Sequence, residues 1–363
     1  MANKTQTSGL PTPSLVVLCA WVALLTLLAL LAACPRREPV SAGPDAAVRP
    51  VWYAERRLLY DGIPILLRFF PAKPALAAQI WRDLALADKH FNDYRPDSAI
   101  SRLNHAPPGQ PIAVVPPLFE AVKLALRAHQ LTGGAFDPTL RPVRQLWKDA
   151  AKTGRLPAGE RVRAARAASN CSEIALAPGT ILRRSPHVQL DLGGMIKGLL
   201  LDKIVGRLQA AGARAFLVQV GGETASFGRS PRGRYHVIGI EHPRDPAREW
   251  TQIHDPGSGL SGATSSNAHR PIRIGKQTYY HIFDARTGQP VDRHTLSVSV
   301  VFRQLGRAWL ADALSTACLA LGPRQAASQV RAAGGEMLML VEGEAGIAEY
   351  VTDGWRDLVY HRK

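Results

Sequence analysis

The sequence predicts an α+β fold: a single large body with a mostly antiparallel sheet and packed helices. Strands and helices alternate irregularly along the chain, hairpin signals occur, and no repeat or low-complexity block interrupts them. Residues 58–70 read as two short strands around Asp61-Gly62. Helical periodicity covers 75–91 and again 117–131, where Gly133-Gly134 closes the helix. A short basic helix is expected at 161–168. The apolar alternation of 188–192 predicts a strand, followed by Gly193-Gly194 and a helix over 195–211. Further strands are predicted at 216–220, 235–240, 278–283 and 296–302. An apolar helix over 309–321, a helix over 325–333 and strands at 337–341 and 346–351 complete the body.

Residues 1–33 read as a targeting segment. A short polar start with Lys4 leads into an apolar run from 15 to 33, and Leu31-Ala32-Ala33-Cys34 then resembles a bacterial lipoprotein box. Cleavage before Cys34 exposes a cysteine whose sulfur and amine accept acyl chains. The competing reading is a retained membrane anchor, since the run is about long enough to span a bilayer. Residues 34–51 lack apolar periodicity and read as a lipidated tether. Both readings put the body outside the cytoplasm on a membrane surface, and the lipoprotein reading has it facing the periplasm. From 52 to 363 there is enough chain for one large domain or two closely joined ones.

The formal charge is +16, but Lys and Arg are scattered, with no basic run interleaved with aromatics. That excludes nucleic acid as the main partner and favours anionic lipid or a phosphorylated small molecule. Of four cysteines, Cys19 belongs to the leader and Cys34 is taken up by lipidation, and Cys171 and Cys318 are expected to be unpaired thiols. Neither Cys-x-x-Cys nor His-Glu-x-x-His spacing occurs, so zinc is not expected.

Asp312 and Thr316 are the most informative pair. Four residues apart in an apolar helix, they share one face, and a carboxylate beside a hydroxyl suits Mg²⁺ and phosphate. Four more clusters follow this theme. Residues 92–98 and 101–104 are dense in donors around Tyr94, a ring able to stack on a planar ligand or simply part of a capped helix start at Asp97. Gly133-Gly134-Ala135-Phe136-Asp137 is either a helix C-cap or a turn where backbone approaches a ligand. After Asp191, Gly193-Gly194 open a helix with Lys197 on its first turn, an arrangement that favours anions, and Gly221-Gly222-Glu223 repeats the strand-to-glycine step. Finally, Thr264-Ser265-Ser266-Asn267 precedes a strand carrying His281 and ending near Asp284, where His281 is a structural residue or part of a polar site.

In order, 94–104, 134–142, 191–202, 218–223, 264–267, 281–288 and 311–322 resemble the landmarks of the ApbE family, the FAD:protein FMN transferases. The resemblance covers nearly all of 52–363 and implies a T-fold-like architecture. It implies FAD as substrate, Mg²⁺ as cofactor and transfer of FMN through a phosphoester to a threonine of an acceptor protein, such as a redox-pump or reductase subunit, with release of AMP. Some members hydrolyse FAD to FMN and AMP instead, and a membrane-tethered flavin carrier is the non-enzymatic alternative. Carried over by position, Tyr94, Ala135, Phe136, Asp137, Asp191, Lys197 and Ile282 contact the flavin nucleotide. The backbone carbonyl of Gly194, Asp312 and Thr316 hold Mg²⁺. His281 is the candidate for proton transfer, with Asp284 nearby as the second. Asp61 stands where the family usually has Met, Ser266 where it commonly has Gly, and Ala285 where it usually has Pro.

Overall fold

The computed structural model divides the chain into Met1–Arg49 and Pro50–Lys363 and describes residues 51–361, except 60, 61, 231, 256, 268–270 and 293. The leader, Cys34, nearly all of the tether and Asp61 lie outside the described residues.

In chain order the elements are β1 (Tyr53–Leu59), β2 (Ile63–Phe70), α1 (Pro74–Phe91), α2 (Ala99–His105), β3 (Pro111–Ala113), α3 (Pro116–Leu131), α4 (Arg141–Thr153), α5 (Gly159–Ala168), β4 (Ile174–Ala177) and β5 (Thr180–Arg183). There follow α6 (Ile196–Ala210), β6 (Ala215–Val220), β7 (Glu223–Phe227), β8 (Val237–His242), β9 (Asp245–His254), β10 (Leu260–Ser266), β11 (Ile272–Ile274), β12 (Gln277–Tyr279) and β13 (Thr295–Phe302). The chain closes with α7 (Ala308–Cys318), α8 (Pro323–Ala332), β14 (Glu336–Gly343) and β15 (Gly346–Val351).

An eight-stranded sheet in the order β1-β2-β6-β7-β10-β13-β14-β15 organises these elements, and each neighbouring pair is antiparallel. Period-two alternation sorts its side chains between two cores. In β13, Val298, Val300 and Phe302 join the core with α7 and α8, while Val301 joins β8, β9 and Trp355 on the other face. Met337 and Met339 of β14 follow the first set, and Leu338 and Leu340 the second. β2 and β6 bury Ile65, Leu67, Phe216 and Val218 against α1, α3 and α6.

One predicted strand is not a strand, and another is cut short. Val188, Leu190 and Leu192 are buried with the expected alternation, but the segment makes only an isolated bridge, Gln189 to Leu140. Its backbone is satisfied otherwise: the Asn104 side chain accepts from Leu190 N at 2.7 Å and donates to Leu190 O at 2.9 Å, and Asp191 N donates to Pro138 O. An amide side chain here replaces a neighbouring strand. The 278–283 strand stops at Tyr279, so His281 lies in an irregular segment that turns into the loop of Asp284. The start of α2 is capped by Ser98, whose hydroxyl accepts from Ser101 N at 3.1 Å, not by Asp97, which pairs with Arg95 instead. Cys171 and Cys318 are both free thiols, as expected.

Candidate active site

The site forms where the N-termini of α6 and α7 meet. Gly198, in the first turn of α6, makes this possible. A Cβ there would lie 2.1 Å from the carbonyl oxygen of Ala308, so only glycine lets the two backbones touch. Asp202, one turn further along α6, accepts from Ala308 N at 3.1 Å and Trp309 N at 2.9 Å and so caps α7 from outside. Asp312, one turn into α7, returns the arrangement, accepting from Gly198 N at 3.0 Å.

This junction encloses three titratable side chains. Lys197 Nζ lies 3.2 Å from Asp312 Oδ1 and 2.5 Å from Glu223 Oε1, and both carboxylates are fully buried. Burial alone would lower the Lys197 ammonium, but Asp312 and Glu223 together raise it, so it stays charged. Burial, with Asp312 nearby, pushes the Glu223 carboxyl up against the opposing pull of Lys197. Glu223 Oε2 is buried with no hydrogen-bond partner. Beside this triad, Thr316 Oγ1 donates to the Gly194 carbonyl at 3.2 Å and lies 3.2 Å from Ser265 Oγ of β10, which also meets Ser315 Oγ at 2.8 Å. Asp312, Thr316 and the Gly194 carbonyl are all hard oxygen donors. With an unsatisfied carboxylate oxygen close by, this donor set fits Mg²⁺.

The other end of the site is more open. Tyr94 is 65% exposed, with Lys148 Nζ 4.3 Å and the Arg144 guanidinium 5.0 Å from its ring centroid. Arg144 also donates to the Tyr94 hydroxyl at 2.9 Å and pairs with Asp93 and, at 2.9 Å, with Asp191. Burial would lower its guanidinium, but Asp191 and Asp93 raise it and keep it charged. These cations come from α4. That helix packs Val143, Leu146, Trp147 and Ala150 against Phe283 and Ile274, and Trp147 Nε1 donates to Gly288 O at 3.0 Å. One face of α4 thus steadies the loop after His281 while another carries Arg144 and Lys148 to the site.

A single cleft of about 1570 Å³ joins the two ends. Tyr94, Ala135, Phe136, Asp137, Asp191, Gly194, Lys197, His281, Ile282, Asp312 and Thr316 all line it, although they are scattered over more than two hundred positions of sequence. The volume exceeds the few hundred to about 1,000 Å³ usual for drug-sized ligands and leaves room for a dinucleotide. Asp284 is the exception. It does not line the cleft: its carboxylate accepts from Arg286 N at 2.8 Å, pairs with the Arg286 guanidinium at 2.9 Å and pins the 284–288 turn. An Asp committed to its own loop in this way holds that loop and does not face the cleft. Sequence reasoning left out Arg144, and took in Asp93, Ser265 and Glu223 only as members of their clusters, with no role of their own. Glu223 had been noticed only as part of a glycine turn, because nothing local marks a carboxylate for burial against a lysine on another element.

The sequence profile described as the ApbE family matches residues 59–339. A protein from Vibrio cholerae named FAD:protein FMN transferase is 28% identical over 340 residues, covering 93% of this chain and 98% of its own. One of the same name from Chlamydia muridarum is 31% identical over 245 residues, 66% of this chain and 74% of its own. Among solved structures, the flavin transferase ApbE from Vibrio cholerae matches with a TM-score of 0.73 at 26% identity, over 85% of this chain and 100% of that one. The apo form of the Pseudomonas stutzeri flavinyl transferase ApbE gives 0.74 at 26% identity, over 86% and 98%. With the profile spanning most of the described body and the same fold in these relatives, this chain belongs to the ApbE family.

Proposed function

We propose that this protein is a Mg²⁺-dependent FAD:protein FMN transferase that moves FMN from FAD to a threonine hydroxyl of an acceptor protein and releases AMP. The observation that carries the reading is the single cleft with a ring-binding mouth at Tyr94 and an enclosed ionic floor at Lys197, Glu223 and Asp312. The names of the curated relatives support the coarse activity.

In this reading the isoalloxazine or adenine ring lies at the mouth, near Tyr94 and the Ala135–Asp137 turn, and the pyrophosphate lies over the floor. Lys197 adds a fixed positive charge at the start of α6, where the helix dipole also favours phosphate. Asp312, Thr316 and the Gly194 carbonyl would hold Mg²⁺, which offsets negative charge on the phosphates. The acceptor hydroxyl attacks the phosphorus on the FMN side. A new Oγ–P bond forms, the pyrophosphate P–O bond breaks, and AMP leaves. His281, on the cleft wall, takes the hydroxyl proton. The fixed orientation of hydroxyl, phosphorus and imidazole supplies most of the rate.

The leader fits this role. Leu31-Ala32-Ala33-Cys34 supports an exported, lipid-anchored enzyme that faces the periplasm and meets membrane-bound acceptors.

Incubation of the full chain with FAD, Mg²⁺ and a threonine-bearing acceptor tests the proposal. Flavin fluorescence that stays with the acceptor in a denaturing gel, with one AMP released per flavin, is the expected result. Free FMN and AMP without labelled acceptor would make the protein an FAD pyrophosphatase, and retained FAD without either product would make it a carrier.

A further inference from the structure

A second constellation reaches from the wall of the flavin cleft, at Asp137, to His129 and Cys171, which the proposed transfer does not use. His129 near the end of α3, Asp137 in the following turn and Cys171 in the turn before β4 bring one imidazole nitrogen, one carboxylate oxygen and one sulfur within 4.8 Å of one another. We propose that these three residues bind a zinc-class divalent metal ion, in a site distinct from the oxygen set at Asp312.

The local geometry is already arranged for coordination. His129 Nδ1 lies 2.9 Å from the Phe136 carbonyl oxygen, and a carbonyl can only accept. The neutral ring therefore carries its proton on Nδ1 and keeps the lone pair of Nε2 free. A metal-bound histidine is oriented in the same way, with its second ring nitrogen donating to a carbonyl. Asp137 is buried, and Thr139 fixes its Oδ1 through the backbone amide at 2.8 Å and through its hydroxyl. The Cys171 thiol donates to the same Oδ1 at 3.3 Å. Zn–S of about 2.3 Å and Zn–O or Zn–N of about 2.0 Å separate two donors of one tetrahedron by about 3.5 Å. The sulfur–oxygen pair already meets that spacing, and an imidazole nitrogen lies within 4.8 Å of both.

The donor set selects the ion. One nitrogen, one sulfur and one oxygen suit Zn²⁺ or Co²⁺ and do not suit Mg²⁺, which prefers oxygen. Binding replaces the thiol proton, which leaves to solvent, and thiolate plus carboxylate then neutralise the ion. Three protein donors leave the fourth tetrahedral position for water. The site escapes the sequence expectation against zinc because its ligands follow no local spacing; the fold gathers them from three segments. Asp137 lines the cleft while His129 and Cys171 do not, so the ion would fasten the 133–139 turn to α3 and to the Cys171 turn.

Cobalt(II) is the probe, titrated into the full chain in detergent and read by absorption. One equivalent should give a near-ultraviolet thiolate-to-cobalt charge-transfer band with intense tetrahedral visible bands, unchanged by excess Mg²⁺. Cys171→Ser should abolish the charge-transfer band, and His129→Ala should weaken Co²⁺ binding more than about tenfold at an unchanged melting temperature. If Cys171→Ser fails to fold, His129→Ala decides the matter. A folded wild-type chain with no such band, or a band that both variants leave intact, overturns the proposal.

Discussion

The two ends of the cleft are built on opposite principles. At the floor, Lys197, Glu223 and Asp312 are held between two helix N-termini that touch through Gly198, and both carboxylates are fully buried. At the mouth, Tyr94 is mostly exposed and is held by long cationic side chains of α4. Charges removed from water interact strongly and tolerate little displacement, which suits a reacting phosphate. An exposed ring flanked by cations gives up little when a planar ligand replaces water on its face, which suits recognition. Under the proposed function, the difference puts chemistry at the floor and selection of the substrate at the mouth.

Removing charge from the floor is the harshest way to break this contrast. Lys197→Met leaves Glu223 and Asp312 buried without their counter-charge, and should cost about 3–5 kcal/mol of stability, read by chemical denaturation. A comparable charge removal at the mouth, Lys148→Met, should stay within about 0.5 kcal/mol, because Lys148 touches solvent and a ring face. Similar losses for the two would erase the distinction.

Gly198→Ala tests the helix contact on its own. A methyl group pressed against the Ala308 carbonyl should cost about 1–3 kcal/mol and lower turnover by shifting Asp312 relative to α6. Normal melting and normal turnover in this variant would mean that the two helices part freely.

A pH-dependent effect concerns Asp202, the outside cap of α7. Burial pushes its carboxyl from the ordinary 3.8 up to about 6, although the Trp309 and Ala308 amides donate to it. A carboxyl raised on folding contributes stability that is complete below its unfolded value and lost as the pH rises through its folded value. The stability difference between wild type and Asp202→Asn should therefore move against the wild type between pH 3.8 and about 6. A flat difference, or one that moves the other way, would show that the carboxylate form is the one this cap favours.

The same contrast explains what was legible in the sequence. The helix of Asp312 and Thr316, the helix opened by Lys197 and the hairpin before Gly62 follow from periodicity and glycine punctuation, and the structure has all three. The segment at Val188–Leu192 carries true strand alternation, yet the Asn104 side chain takes the place of a partner strand, and no local pattern announces that. α4 went unread although Val143, Leu146, Trp147 and Ala150 stand at helical spacing, because its charged residues mask the stripe. β10 went unread for a different reason. Gly262, Thr264, Ser265 and Ser266 look like loop chemistry, and only pairing on both sides makes them a central strand. Glu223 was invisible as a site residue, since its meaning comes from Lys197 and Asp312 and not from its neighbours in sequence.

The most direct test measures FAD affinity and FMN transfer side by side in Asp312→Asn and Tyr94→Ala. The account predicts a split. Asp312→Asn should keep FAD binding within a few-fold while transfer falls by about a hundredfold or more, as expected when a charge that acts in the transition state is removed. Tyr94→Ala should weaken FAD binding by about two- to tenfold, the worth of one aromatic contact, and keep its transfer rate at saturating FAD. Parallel loss of binding and transfer in both variants would contradict a cleft divided into a reacting floor and a selecting mouth.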